Sequence, residues 1–211
     1  MRRHQLQLRT LRLLLLAAFA VPFTYFAAQI AAAPFFPDYS SFTVSASDLG
    51  SSRSTMPAIL NIGAILTGVL GTLGSVGLAF VLPKIAATTT LAWLLAACMA
   101  SIGLAAAWAG LHPLPSSQHD PGALGAGMFA APFVSALVAW KVKLLRPLHV
   151  PLLLNLAAFG ACAWVLSGVA GIDLSAYGGL AQKVLALVCF APPSAIAFFS
   201  FKLIGDGHGD A

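Results

Sequence analysis

Residues 47–82 read Ser-Asp-Leu-Gly-Ser-Ser-Arg-Ser-Thr-Met-Pro and then Ala-Ile-Leu-Asn-Ile-Gly-Ala-Ile-Leu-Thr-Gly-Val-Leu-Gly-Thr-Leu-Gly-Ser-Val-Gly-Leu-Ala-Phe-Val-Leu. A polar turn comes first, Pro57 opens a helix, and a small residue recurs on every turn of the apolar run that follows. Gly63, Thr67, Gly71, Ser75 and Ala79 stand four apart, which stacks them along one helix face as a packing row, widened by Gly68, Gly74 and Gly77. In water each of these glycines would cost a helix about 1 kcal/mol relative to alanine. In a bilayer the same residues let a neighbouring backbone approach closely. The stretch therefore predicts a central membrane helix with an ordered polar turn at one end.

Composition extends that reading to the whole chain. Hydrophobic residues make up 59% and charged residues 8%, and the mean hydropathy is +0.91. Spanning a bilayer takes about 20 apolar residues. Six such runs are present, predicting an all-α, polytopic bundle with helices over 11–33, 57–82, 90–111, 121–140, 150–169 and 180–203. The domain plan is a basic N-terminus over 1–10, one transmembrane domain over 11–204 and a polar, disordered tail over 205–211, with no soluble domain. The first run could be mistaken for a signal peptide. Its apolar part, from Leu13 to about Ala33, exceeds the roughly 7 to 15 residues of a signal core, so a retained helix is predicted.

Charge orients the bundle. Arg2, Arg3, Arg9, Arg12, Lys84, Lys141, Lys143, Arg146 and Lys202 all fall at one end if there are six spans, whereas Asp38, Asp48, Asp120 and Asp173 fall at the other with Arg53. The positive-inside rule then makes that basic end, with both termini, cytoplasmic. A pI near 9.5 would suggest nucleic acid for a soluble protein. Here the basic residues sit in juxtamembrane loops, where anionic lipid heads are the natural partner and nucleic acid is not expected. Cys98, Cys162 and Cys189 lie in apolar runs without paired or metal-type spacing, so reduced thiols and no cofactor are expected.

Three features carry a family resemblance: Ser47-Asp48-Leu49-Gly50 after the first helix, Asn61-Ile62-Gly63 opening a glycine-rich second helix, and His119 at the entry to helix four. Together they resemble the prokaryotic membrane family catalogued as domain of unknown function 998. The resemblance spans most of the chain and implies a six-helix bundle, without an activity. The second histidine, His112, and an alanine-rich third helix depart from the pattern.

Chemistry has one place to gather, the rim opposite the basic end, where Ser45, Ser47, Asp48, Arg53, His112, His119, Asp120, Asp173, Gln182 and Lys183 fall. Ser47, His119 as general base and Asp48 orienting it would suit hydrolysis or transfer at a lipid headgroup. His112, His119, Asp120 and Asp48 could instead hold a divalent metal. Each residue also has a plainer structural reading. Asp120 before Pro121 is a helix cap, Asp48 closes an Asx-type turn or meets Arg53, the histidines lie at headgroup level, and Lys183 snorkels or pairs with Asp173 or Asp48. No glutamate occurs in the chain, and no span carries a central ionisable residue, which argues against a proton-coupled carrier. Asn61 and Asn155 are suited to joining helices. The expected function is thus a non-catalytic membrane protein that binds a lipid or other apolar ligand through Asp48, Arg53, Asn61, His112, His119 and Lys183, or serves as accessory subunit of a larger membrane complex. The alternative is a lipid-modifying enzyme using His119 and Asp48. An apolar lateral groove beside the Gly63–Ala79 row would favour binding.

Overall fold

The structure, a computed structural model, describes residues 2–85 and 87–205. Its helices are α1 (Arg2–Ala32), the single turn α2 (Ala46–Leu49), α3 (Ala58–Val81), α4 (Thr89–Leu111), α5 (Ala126–Lys141), α6 (His149–Leu166) and α7 (Leu174–Gly205). Short 3₁₀ turns extend α1, α3, α5 and α6. Six segments are long and apolar enough to cross a membrane: Gln5–Phe35, Ala58–Ile85, Thr89–Leu111, Gly122–Lys141, Lys143–Leu166 and Leu174–Ile204. The protein is a multi-pass helical membrane protein. Among the described residues there is no strand.

Contacts between neighbours close five of these helices into a bundle in the order α3, α1, α7, α5, α4 and back to α3. α6 leans on the outside against α5 and α7 and buries only Leu152. The predicted packing row on α3 is buried throughout, but it does not meet a single partner. With 3.6 residues per turn, a row of strict spacing four drifts by about 40° per step. Gly63 accordingly lies on Ala28 of α1, whereas Gly71 lies on Gly103 of α4, where a Cβ would stand 2.8 Å from the Gly103 Cα. Gly74 and Gly77 return to α1, against Ala18 and Leu14, and Gly68 faces Ala107. α3 is therefore the shared wall of two helix pairs, smooth on both sides.

Prolines leave carbonyls inside the bundle, and polar side chains from other helices meet them. A proline at position i has no N–H for the carbonyl at i−4. Pro22 of α1 frees the Ala18 carbonyl, which accepts from Ser194 Oγ of α7 at 2.9 Å. Pro192 of α7 frees the Val188 carbonyl, which accepts from Asn155 Nδ2 of α6 at 2.8 Å. Both α1 and α7 run unbroken through these prolines.

Four boundaries differ by three residues or more from those read in the sequence. α6 stops at Leu166, short of 169. α1 starts at Arg2, so the basic N-terminus from that residue on is the first turns of the helix. α5 is preceded by the 3₁₀ turn Gly122–Gly125 and begins at Ala126. α7 begins at Leu174, so Ser175 to Gly179, read as a turn, is helical. Gly179 serves a close approach instead, since a Cβ there would strike the Val44 carbonyl. The turn itself lies earlier, where Gly168 and Gly171 adopt φ of 78° and 65°. Beyond Gly205, the predicted tail lies outside the described residues.

Candidate functional site

The segment between α1 and α3 folds over the rim end of the bundle and is fixed there by hydrogen bonds from four directions. Its centre is α2, closed by a capping box. Ser45 Oγ accepts from the Asp48 N–H at 3.1 Å, and the Asp48 carboxylate accepts from the Ser45 N–H at 3.0 Å. The same carboxylate accepts from Ser45 Oγ at 2.7 Å. From α3, Asn61 Nδ2 donates to the Gly50 carbonyl at 3.0 Å. The two residues touch so closely that a Cβ on Gly50 would overlap Asn61 Oδ1.

α7 supplies the third direction. Gln182 Oε1 accepts from the Ala46 N–H at 2.7 Å, and Lys183 Nζ donates to the carbonyls of Val44 at 2.6 Å, Ser41 at 3.2 Å and Gly179 at 3.3 Å. Lys183 therefore turns inward over the 41–44 backbone, and neither Asp173 nor Asp48 is its hydrogen-bond partner. Arg53 meets Asp48 at 3.7 Å and lies over the Phe36 ring at 4.9 Å. With 70% of its side chain exposed, that ion pair is a weak contributor.

The loop between α4 and α5 is the fourth direction, and it carries His119 to Ser47. His119 Nε2 lies 2.8 Å from Ser47 Oγ, and Nδ1 lies 2.8 Å from the His112 carbonyl oxygen. A carbonyl only accepts, so in the neutral ring Nδ1 carries the proton and Nε2 presents its lone pair to the serine hydroxyl. The His112 ring does not join them; it packs on Trp108 with centroids 4.3 Å apart. Trp108 Nε1 donates to the Gln118 carbonyl at 2.6 Å, a second tether for the loop.

Of the residues singled out in the sequence, the structure brings Ser47 to His119 and Asp48 to Arg53, and sets Asn61, Gln182 and Lys183 on backbone groups of the same segment. It does not bring Asp48 to His119: the aspartate faces Ser45 and Arg53, and the histidine is oriented by a backbone carbonyl instead. Asp120 and Asp173 stand apart, each capping its own turn through Gly122 N and Ser175 N at 2.8 Å. Hydrogen bonds from Ser175 hold the Asp173 carboxyl below the usual carboxylate range. His112, His119, Asp120 and Asp48 do not gather as metal ligands, and among the described residues no group of three or more His, Cys or Asp side chains is placed to hold an ion.

Beneath Ser47 and His119 is a cavity of about 50 Å³, walled by Tyr25, Ala46, Leu60, Asn61, Ala64, Ala106 and Ala109. That is room for about one or two waters. Tyr25, from α1, was not marked as a site residue by the sequence; only its place inside an otherwise apolar run set it apart. Its hydroxyl makes no hydrogen bond among the described residues.

Residues 15–198 match the family described as protein of unknown function DUF998. The chain belongs to the DUF998 family. Its description assigns no activity. No curated protein and no solved structure matches the chain. In this DUF998 chain, the features that suggested the family meet in space: the Ser-Asp-Leu-Gly turn rests on Asn61 from one side and on His119 from another.

A second feature lies beside the rim. α7 turns Gln182 and Lys183 toward the 41–46 segment, while Tyr177, Leu180, Ala181 and Val184 on its adjoining face meet Ala161, Cys162 and Val165 of α6 and Ile172 of the connecting loop. They line a lateral groove of about 370 Å³ with a wholly apolar surface. A smaller groove of about 270 Å³ runs between Ser75, Ala79 and Phe80 of α3 and Trp93, Ala96 and Ala100 of α4. The middle of the α3 row is closed by α1 and α4 and offers no groove.

Proposed function

We propose that this DUF998 chain is a membrane-embedded binding protein for a lipid-class ligand whose acyl chain lies in the groove between α6 and α7. The groove carries the proposal. It is apolar throughout, it is within the size range of ligand sites, and it lies beside a helix whose outer face is exposed and apolar, as at Leu154, Trp164 and, in the following turn, Val169. α6 packs on the bundle through few buried groups, so the groove can widen at low cost in lost contacts. The polar clasp of Asp48, Asn61, Gln182 and Lys183 holds the rim segment rigid next to it. An amphiphile seated there keeps its polar end at the rim and its tail among Ala161, Val165 and Val184.

Cys162 gives a native probe. In lipid nanodiscs, a lipophilic maleimide should modify Cys162 slowly while phospholipid fills the groove, and faster after delipidation into detergent; Cys98 and Cys189 are buried and should stay unmodified in both. Equal Cys162 rates in both states would count against an occupied groove.

A further inference from the structure

The Ser47–His119 pair is one hold on the rim segment, but neither α2 nor the 112–121 loop depends on it to close. α2 is already closed by its capping box, and the 112–121 loop is already tied to α4 through Trp108. We propose that Ser47 is a nucleophile toward carboxylic esters presented at the membrane interface, with His119 as its general base. This inference is independent of the groove between α6 and α7.

The geometry supplies what a nucleophilic serine requires. Nε2 is the acceptor nitrogen and lies 2.8 Å from Oγ, within reach for proton transfer. The His112 carbonyl fixes the ring and its tautomer from the other side at 2.8 Å. Ser47 and His119 are both part-exposed, so an ester can approach from the interface. The cavity below them is too small for an acyl chain and has room for a carbonyl oxygen. Tyr25 lines that cavity, and its hydroxyl, unpartnered among the described residues, is the candidate donor to a developing oxyanion.

The reaction balances without a further reagent besides water. Oγ bonds to the ester carbonyl carbon while the Ser47 proton passes to Nε2. The carbon–oxygen bond to the alcohol then breaks, and the alcohol leaves with the proton from Nε2. Water attacks the acyl-serine, gives a proton to Nε2, and releases the carboxylic acid as Ser47 regains its proton. A carbonyl in place of a carboxylate behind the histidine orients the ring but stabilises the imidazolium less, which predicts slow turnover.

A fluorophosphonate ester reads the nucleophile directly: the Oγ–phosphorus bond forms, the phosphorus–fluorine bond breaks, and the serine proton leaves through Nε2. Full-length protein in nanodiscs should be labelled, with the adduct on Ser47 by peptide mass spectrometry. Ser47→Ala should abolish the adduct. His119→Gln, which keeps a hydrogen-bonding side chain, should hold the melting temperature yet slow labelling by about 100-fold. Tyr25→Phe should slow it severalfold. A folded wild-type protein that is not labelled, an adduct that persists in Ser47→Ala, or a His119→Gln variant labelled at the wild-type rate would each overturn the proposal.

Discussion

Asn155 of α6 donates to the Val188 carbonyl of α7 at 2.8 Å, the carbonyl that Pro192 leaves without a helical donor. One residue makes the vacancy and another, 37 positions away in sequence, fills it. The pairing explains how α6 is attached although it buries so little. In hydrocarbon an unmatched carbonyl has no water to turn to, and cross-helix hydrogen bonds of this kind are worth about 0.6 to 2 kcal/mol.

Asn155→Leu should therefore lower stability in detergent by about 1 kcal/mol. The loss should shrink in a Pro192→Ala background, because alanine returns the N–H to the Val188 carbonyl. Melting curves of the two single variants and the double variant decide this; equal cost of Asn155→Leu in both backgrounds would contradict the assignment.

At Gly71 the α3 and α4 backbones are in contact through Gly103. Gly71→Ala should destabilise by about 1–3 kcal/mol, and Gly71→Leu should disrupt the bundle outright. Substitution at Gly160 of α6, where an added Cβ meets nothing within 4 Å, should be close to neutral. Thermal melts of purified variants make the comparison.

Gly50→Ala should strain the rim chiefly through Asn61, with a lesser contact to Leu60 Cδ2 at 3.2 Å. Adding Asn61→Ala should relieve most of that strain, leaving the double variant nearer to Asn61→Ala than an additive sum would place it. Strictly additive losses would mean that the two side chains do not meet.

Within the rim, the capping box should outweigh the ion pair. Ser45→Ala removes the acceptor for the Asp48 N–H and should cost about 1 kcal/mol. Arg53→Ala removes an exposed partner at 3.7 Å and should cost no more than a few tenths of that. Hydrogen exchange of the Asp48 amide reports the first, and thermal melts report both.

Hydropathy and small-residue spacing were enough to read the helical class, the six spans and the role of α3, because apolar length and close backbone approach are properties of consecutive residues. Which neighbour each glycine serves was not legible: it depends on the slow rotation of a four-residue row and on where α1 and α4 come to lie. The start of α7 was obscured by Gly178 and Gly179, which look like turn residues; Gly179 is required by the Val44 carbonyl, a contact 135 positions away. The candidate site was partly legible. Ser47, Asp48 and His119 are recognisable residue types, but their pairing is set by the path of the 112–121 loop, which brings His119 to Ser47 and leaves Asp48 with Arg53. His149 at the start of α6 carried no signal beyond its type; its Nε2 donates to the Ala139 carbonyl at 2.9 Å and its ring stacks on Trp140.

The most direct test of the binding reading is native mass spectrometry of the wild-type protein beside Ala181→Phe, a variant whose ring fills the groove between α6 and α7. The wild-type protein should retain a phospholipid through detergent exchange, and Ala181→Phe should lose it while melting at a similar temperature. Equal retention by both would show that the groove is not where the lipid is held and would contradict the account.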